Sequence, residues 1–177
     1  TFQNCAVLSR FINIEKCIGS HKVAVGGPKR VVFITERCLD TDHKVFANMM
    51  LADGKMGKIE YQLYCKWFDM IHRVGATPLS AIVHLKTNPD TCSDRILQRS
   101  RTGEEGIPIG YLRMLDQFQQ KWCDSATVPV LTFDPGFNDL EEMASNVGNF
   151  ISGLVEKVDS KPVLAATPLM RTRPFNE

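Results

Sequence analysis

VVFITERCLDTD runs from residue 31 to residue 42. Its first part, 31–35, is almost wholly apolar, which predicts a strand buried on both faces. The run stops abruptly at a carboxylate and a guanidinium, Glu36 and Arg37. Similar runs follow at 79–85 (LSAIVHL) and 128–133 (VPVLTF), with helical periods between them. Apolar strands alternating with helices predict an α/β fold, a parallel sheet with helices on its faces. Ligands bind such sheets at the carboxyl ends of the strands, where Glu36 and Arg37 stand. The same two charges also suit a local ion pair on the surface.

The helices are placed by periodicity and by end signals. Val7, Phe11, Ile14 and Ile18 form a stripe along residues 2–18. Asp40 or Thr41 caps a helix that runs to Ala52 and stops at Asp53-Gly54. Ile59, Leu63, Trp67, Met70 and Ile71 share one apolar face of the next helix, which GATP breaks. Asn88 as cap and Pro89 at the first helical position start another. Tyr111, Leu115, Phe118 and Trp122 mark a further helix, and Leu140, Met143, Val147, Phe150, Ile151 and Leu154 the last. The expected domain covers residues 1–158, followed by a loose Pro-rich tail at 159–177.

Composition narrows the classes. The 177 residues carry a net charge of +1, 44% hydrophobic and 23% charged residues. No global basic field points to nucleic acid or to an anionic membrane. No apolar run approaches the length of a membrane span. The six cysteines, at 5, 17, 38, 65, 92 and 123, form no Cys-x-x-Cys pair, and zinc-ligand spacing is absent. Most fall on apolar helix faces, which predicts reduced core thiols.

Three constellations carry chemistry. In RILQRSRTGEEG, Arg95 and Arg99 share a helix face and Arg101 follows at its end. Guanidinium forks suit phosphate oxygens and stay charged at any working pH. A solvated helix end neutralised by Glu104 and Glu105 is the plainer alternative. In the first helix Gln3, Ala6 and Arg10 share a face, read as lying opposite the apolar stripe. The small Ala6 leaves a dent between two hydrogen-bonding side chains, and a glutamine can pair with a planar base edge. A plain solvent face fits as well. Asp42 and Phe46, four apart, place a carboxylate beside an aromatic, which suits a stacked and hydrogen-bonded base. Asp42 as a helix-start charge is the alternative. There is no Gly-x-x-x-x-Gly-Lys-Ser/Thr; VGGPKR lacks its spacing.

Together, TFQ…LSR, ERCLDTDHKVFA, LKTNPDTC…RILQRSR, EEGIPIGYL and the Trp of QQKW resemble the deoxynucleoside kinase family, in order and approximate spacing, over about 1–158. The resemblance implies a P-loop kinase fold, usually dimeric. It implies transfer of the γ-phosphoryl of a nucleoside triphosphate such as ATP to the 5′-hydroxyl of a deoxyribonucleoside, with Mg²⁺. Gln3 would pair with the base edge, Arg10 and Asp42 would read its amino or keto groups, and Phe2 and Phe46 would pack on it. Glu36 would lie near Mg²⁺ and the phosphates. Arg37 would hold the 5′-oxygen. Arg95, Arg99 and Arg101 would form the lid over the triphosphate, and Glu104 would bond the sugar 3′-hydroxyl. The Asp134–Asn138 loop, with Asp134 and Phe137, would flank the adenine of the donor. Thymidine-preferring members lack the Arg/Asp pair, so Arg10, Asp42 and small Ala6 resemble the deoxycytidine and purine branch.

Two departures stand out. The family usually has Ser after Glu-Arg, and this chain has Cys38. The family's first strand, its P-loop and the carboxylate serving as general base would all lie before TFQ. The expectation is therefore that these residues alone are inactive and poorly stable, with a gap in the sheet. Two other readings compete. Thymidylate-type nucleotide kinases share the fold but usually carry Asp-Arg. A truncated, non-catalytic nucleoside-binding relative would need no P-loop. The expected location is inside the cell, in cytoplasm, mitochondrion or nucleus.

Overall fold

The computed structural model describes residues 2–24, 31–74, 78–104, 106–133 and 139–159. The chain divides into two compact units, Thr1–Gly136 and Phe137–Glu177. In the first unit, helix α1 spans Phe2–Ala24 and runs beyond the expected 2–18. A short helix, α2 (Leu39–Thr41), continues without a break through a π-helical stretch, Asp42–Ala47, into α3 (Asn48–Ala52). The turn after it uses Gly54 at φ +69, in the left-handed region open to glycine. Helix α4 is Lys58–Val74, α5 is Pro89–Arg99 and α6 is Ile109–Asp124.

The sheet among the described residues has two parallel strands, β1 (Ile82–Leu85) and β2 (Val130–Phe133). Ile82 lies opposite Val130 and Leu85 opposite Phe133. Both fall inside the expected apolar runs. The segment 31–35 does not join them. It takes no regular strand structure, and Val31, Val32, Phe33 and Ile34 are exposed. Apolar composition suits a strand but does not by itself make one.

The core lies between α1, the α2–π–α3 run and α4. Val7, Leu39, Ala47, Tyr64, Phe68 and Ile71 are buried together, with Phe11, Tyr61 and Cys65 packed against them. This corrects the expected face of α4: of Ile59, Leu63, Trp67, Met70 and Ile71, only Ile71 is buried. The buried side carries Tyr64 and Phe68, whose rings pack at a centroid distance of 6.4 Å. One expected helix start holds and one shifts. Asn88 Oδ1 accepts from the Asp90 amide at 2.8 Å with Pro89 at the first position. The helix expected to begin with Asp40 or Thr41 as cap has Cys38 there instead. Thr41 sits three residues inside and takes the Cys38 amide on its Oγ1 at 3.3 Å, the reciprocal half of a capping box.

The cysteines are free, and among them only Cys123 is buried; Cys5 and Cys17 are exposed. The expectation of core thiols therefore fails for most of them, because helix spacing alone does not say which apolar face is covered. In the second unit, α7 is Leu140–Asp159. Asp139 Oδ1 caps it, accepting from the amides of Glu141 and Glu142 at 2.9 and 3.0 Å.

Candidate functional site

Arg10 and Asp42 meet across the unit. Arg10 Nε donates to Asp42 Oδ2 at 2.7 Å and Nη2 to Oδ1 at 3.3 Å. Two parallel bonds make this a fork-to-carboxylate pair, the strong form of the contact. The Asp42 side chain is 4% exposed and that of Arg10 26%. Arg10 Nη1 also donates to the Glu36 carbonyl oxygen at 3.3 Å. One guanidinium thus holds α1 against both the π-helical stretch and the end of the 31–35 segment.

Gln3 lies two turns before Arg10 and is 5% exposed. Residues 100° apart per step put Gln3 and Val7 on nearly one side of α1, and Val7 is fully buried. The expected opposition of the Gln3–Ala6–Arg10 face to the apolar stripe is therefore wrong: the polar set borders the core. Gln3 Nε2 donates to Met50 Sδ at 3.2 Å. Ala6, between Gln3 and Arg10 in sequence, is half-buried.

Phe46 stands one turn beyond Asp42 in the π-helical stretch. Such i→i+5 turns are rare and often sit at functional sites. Its ring carries the Arg37 guanidinium, whose central carbon is 4.8 Å from the ring centroid, a cation–π contact. Arg37 holds φ +64, a left-handed conformation that costs a side-chain-bearing residue about 1 kcal/mol or more. Thr35 Oγ1 donates to the Arg37 carbonyl at 2.8 Å and braces that turn. Glu36 is exposed beside it.

The structure brings together Gln3, Ala6, Arg10, Asp42, Phe46 and Arg37. Phe2 points outward at 77% exposure. The arginine group stands apart: among the described residues no hydrogen bond or ion pair joins Arg95, Arg99, Arg101 or Glu104 to Arg10 or Asp42. Arg95 and Arg101 are exposed. Arg99 gives Nε and Nη2 to Glu104 Oε2 at 3.1 and 2.5 Å, the neutralising pair that the charge pattern also allowed. Asp134 and Phe137 lie outside the described residues, as do Glu105 and most of the tail.

Sequence reasoning missed two groups. Met50 continues the four-residue spacing of Asp42 and Phe46, a signal that was there to extend. The other is a polar network between the π-helical stretch and α4. Tyr61 Oη donates to Asn48 Oδ1 at 2.5 Å and stands 3.4 Å from His43 Nε2, which is also 3.7 Å from Cys65 Sγ. The His43 ring lies 4.3 Å from that of Phe68. Burial, helped by Lys44, pushes the His43 imidazole below its ordinary value, while burial and Cys65 raise the Tyr61 phenol to about 12.

The unit thus carries a half-buried guanidinium on a buried carboxylate, beside a buried glutamine and an aromatic. The profile of the deoxynucleoside kinase family matches residues 1–159, and the chain belongs to that family. It is 31% identical over 169 residues to human deoxycytidine kinase, an alignment that covers 87% of this chain and 64% of that protein. It is 30% identical over 172 residues to deoxycytidine kinase 1 of Xenopus laevis, with the same coverage of 87% and 64%. With human mitochondrial thymidine kinase 2 it shares 33% over 91 residues, 51% of this chain and 34% of that protein. The chain thus spans 64% of the length of the deoxycytidine kinases named.

Proposed function

We propose that the protein transfers the γ-phosphoryl of a nucleoside triphosphate to the 5′-hydroxyl of deoxyribonucleosides, in nucleotide salvage. The observation that carries this reading is the Arg10–Asp42 pair, two bonds at 2.7 and 3.3 Å beside a buried Gln3. An acceptor-rich carboxylate, a guanidinium and an amide on one wall suit a nucleobase edge, and Phe46 supplies a stacking surface. Deoxycytidine and purine deoxynucleosides are the preferred substrates, because a base with complementary donors and acceptors satisfies groups that a mismatched base leaves unpaired.

The roles on the phosphate side follow the family pattern. Arg37 holds the 5′-oxygen and offsets the charge that develops there. Arg95, Arg99 and Arg101 close over the triphosphate, which requires Arg99 to leave Glu104. Glu104 is then free for the sugar 3′-hydroxyl. Asp134 and Phe137 flank the adenine of ATP. For Mg²⁺ the described residues offer the exposed Glu36 carboxylate; one protein carboxylate with substrate phosphates is an ordinary Mg²⁺ donor set. Bound there, Mg²⁺ would supply positive charge against the phosphates.

The protein acts as a homodimer inside the cell. Ile59, Leu63, Trp67, Met70 and Val74 line an exposed apolar stripe on α4, with Ile59 84% and Trp67 41% exposed. A stripe of some 15 residues, about 22 Å of helix, is long for a solvated face and suits a second copy of the same helix. No helix among the described residues is long and apolar enough to cross a membrane.

The test is phosphate transfer from labelled ATP to deoxycytidine, deoxyadenosine, deoxyguanosine and thymidine by the full-length gene product. Formation of 5′-monophosphates, deoxycytidine ahead of thymidine, supports the reading. Nucleoside binding without transfer would favour a non-catalytic relative.

A further inference from the structure

Gln3 on α1 and Met50 on α3 are 47 positions apart in sequence, yet Gln3 Nε2 lies 3.2 Å from Met50 Sδ. Gln3 is 5% exposed and Met50 half-buried, so the contact is partly shielded from water. A glutamine amide has a donor end and an acceptor end of nearly equal shape, and either end can face a given partner. A thioether has lone pairs and no proton. It can only accept. Met50 therefore holds the NH₂ end of Gln3 toward α3 and leaves Oε1 and one N–H for another partner. The same face of the π-helix–α3 run carries Asp42 and Phe46, at steps of four residues before Met50, and Asp42 takes the Arg10 fork at 2.7 Å.

We propose that Met50 is a specificity-determining positioning residue: its thioether fixes the polarity of the Gln3 amide, and so the order of donor and acceptor that a nucleobase must present. This rests on the reading of the site as a deoxynucleoside pocket. Of the two pyrimidines, cytosine places an exocyclic amine, a donor, beside an unprotonated ring nitrogen, an acceptor. Thymine places a carbonyl, an acceptor, beside a protonated ring nitrogen, a donor. The two orders are reversed. An amide free to turn over serves both, whereas a pinned amide serves one and leaves the other with clashing donors or acceptors.

The experiment uses the full-length protein. Met50→Leu removes the acceptor with little change of volume. The quantity read is the ratio of kcat/KM for deoxycytidine to that for thymidine, with thermal denaturation alongside. In the variant the ratio moves toward one by about fivefold, the worth of one ordinary hydrogen bond, chiefly through KM. A residue that only fills space affects both nucleosides alike, so an unmoved ratio overturns the proposal even where stability falls. Met50→Gln is the second variant: its amide can accept from Gln3 or donate to it, so it also releases the polarity and narrows the ratio. Wild-type ratios in both variants overturn the role of Met50 alone. A wild-type protein that phosphorylates no deoxynucleoside overturns the reading of the site, and the proposal with it.

Discussion

Asp42 keeps its carboxylate almost wholly out of solvent because Arg10, 32 positions earlier, reaches it with Nε at 2.7 Å. The pair fastens α1 to the π-helical stretch that also carries Phe46. Its partners are unequal, since the Arg10 side chain keeps 26% of its exposure and that of Asp42 only 4%. Loss of the arginine should therefore hurt more than loss of the carboxylate. Arg10→Met leaves a buried charge unpaired and should cost about 3 kcal/mol, the lower end for a broken buried pair because Arg10 is partly solvated. Arg10→Met with Asp42→Leu should recover most of that loss. Urea denaturation of the single and double variants measures both; a double variant no more stable than Arg10→Met would contradict this reading.

Arg37 sits on the Phe46 ring at 4.8 Å in a left-handed backbone conformation. Its proposed role is at the reacting oxygen, so Arg37→Ala should lower kcat by about 100-fold or more while changing nucleoside KM far less. Steady-state kinetics separates the two. A change confined to KM would assign Arg37 to binding alone.

Two histidines set a pH dependence. Burial pushes His43 and His84 below the ordinary value of 6.5; Lys44 adds to the effect at His43 while Asp40 and Asp69 oppose it, and Lys86 adds at His84 while Asp116 and Asp124 oppose it. The unfolded chain then takes up protons near pH 6.5 that the folded chain refuses. Their contribution to stability is complete above that pH and is lost as pH falls toward the folded values. Melting temperature should drop between about pH 7 and about pH 5. His43→Phe should flatten the drop. A variant with the wild-type slope would exclude His43 as a source.

The α4 stripe gives a test of assembly. Leu63→Glu with Trp67→Lys places charges on a face where both side chains are exposed, so the isolated unit should fold as before. Analytical ultracentrifugation should then show a dimer for the parent protein and a monomer for the variant. A dimer retained in the variant would move the contact elsewhere.

Much of the architecture was legible because it rests on local signals. Asn88-Pro89 fixed the start of α5, and β1 and β2 fell inside apolar runs. The segment 31–35 has the same composition but is not a strand, and apolar composition alone does not separate the two cases. The buried side of α4 was misjudged because Ile59, Leu63 and Trp67 are as periodic as Tyr61, Tyr64 and Phe68. Only the three-dimensional arrangement says which set meets α1. Arg10, Asp42 and Gln3 were legible as candidate site residues, yet the Arg10–Asp42 contact was not, since pairing across 32 positions depends on packing. Met50 was missed because a methionine at helical spacing reads as core filling. The π-helical stretch has no local signature at all, as DHKVFA carries neither Pro nor Gly.

The most direct measurement compares kcat/KM for deoxycytidine and for thymidine in the full-length protein and in its Arg10→Met/Asp42→Leu variant. If the pair reads the base, the parent protein phosphorylates deoxycytidine in preference. The variant then loses that preference by about 100-fold or more, with thymidine gaining relative to deoxycytidine. An unchanged ratio in an active, folded variant would show that Arg10 and Asp42 join α1 to the π-helical stretch without reading the base.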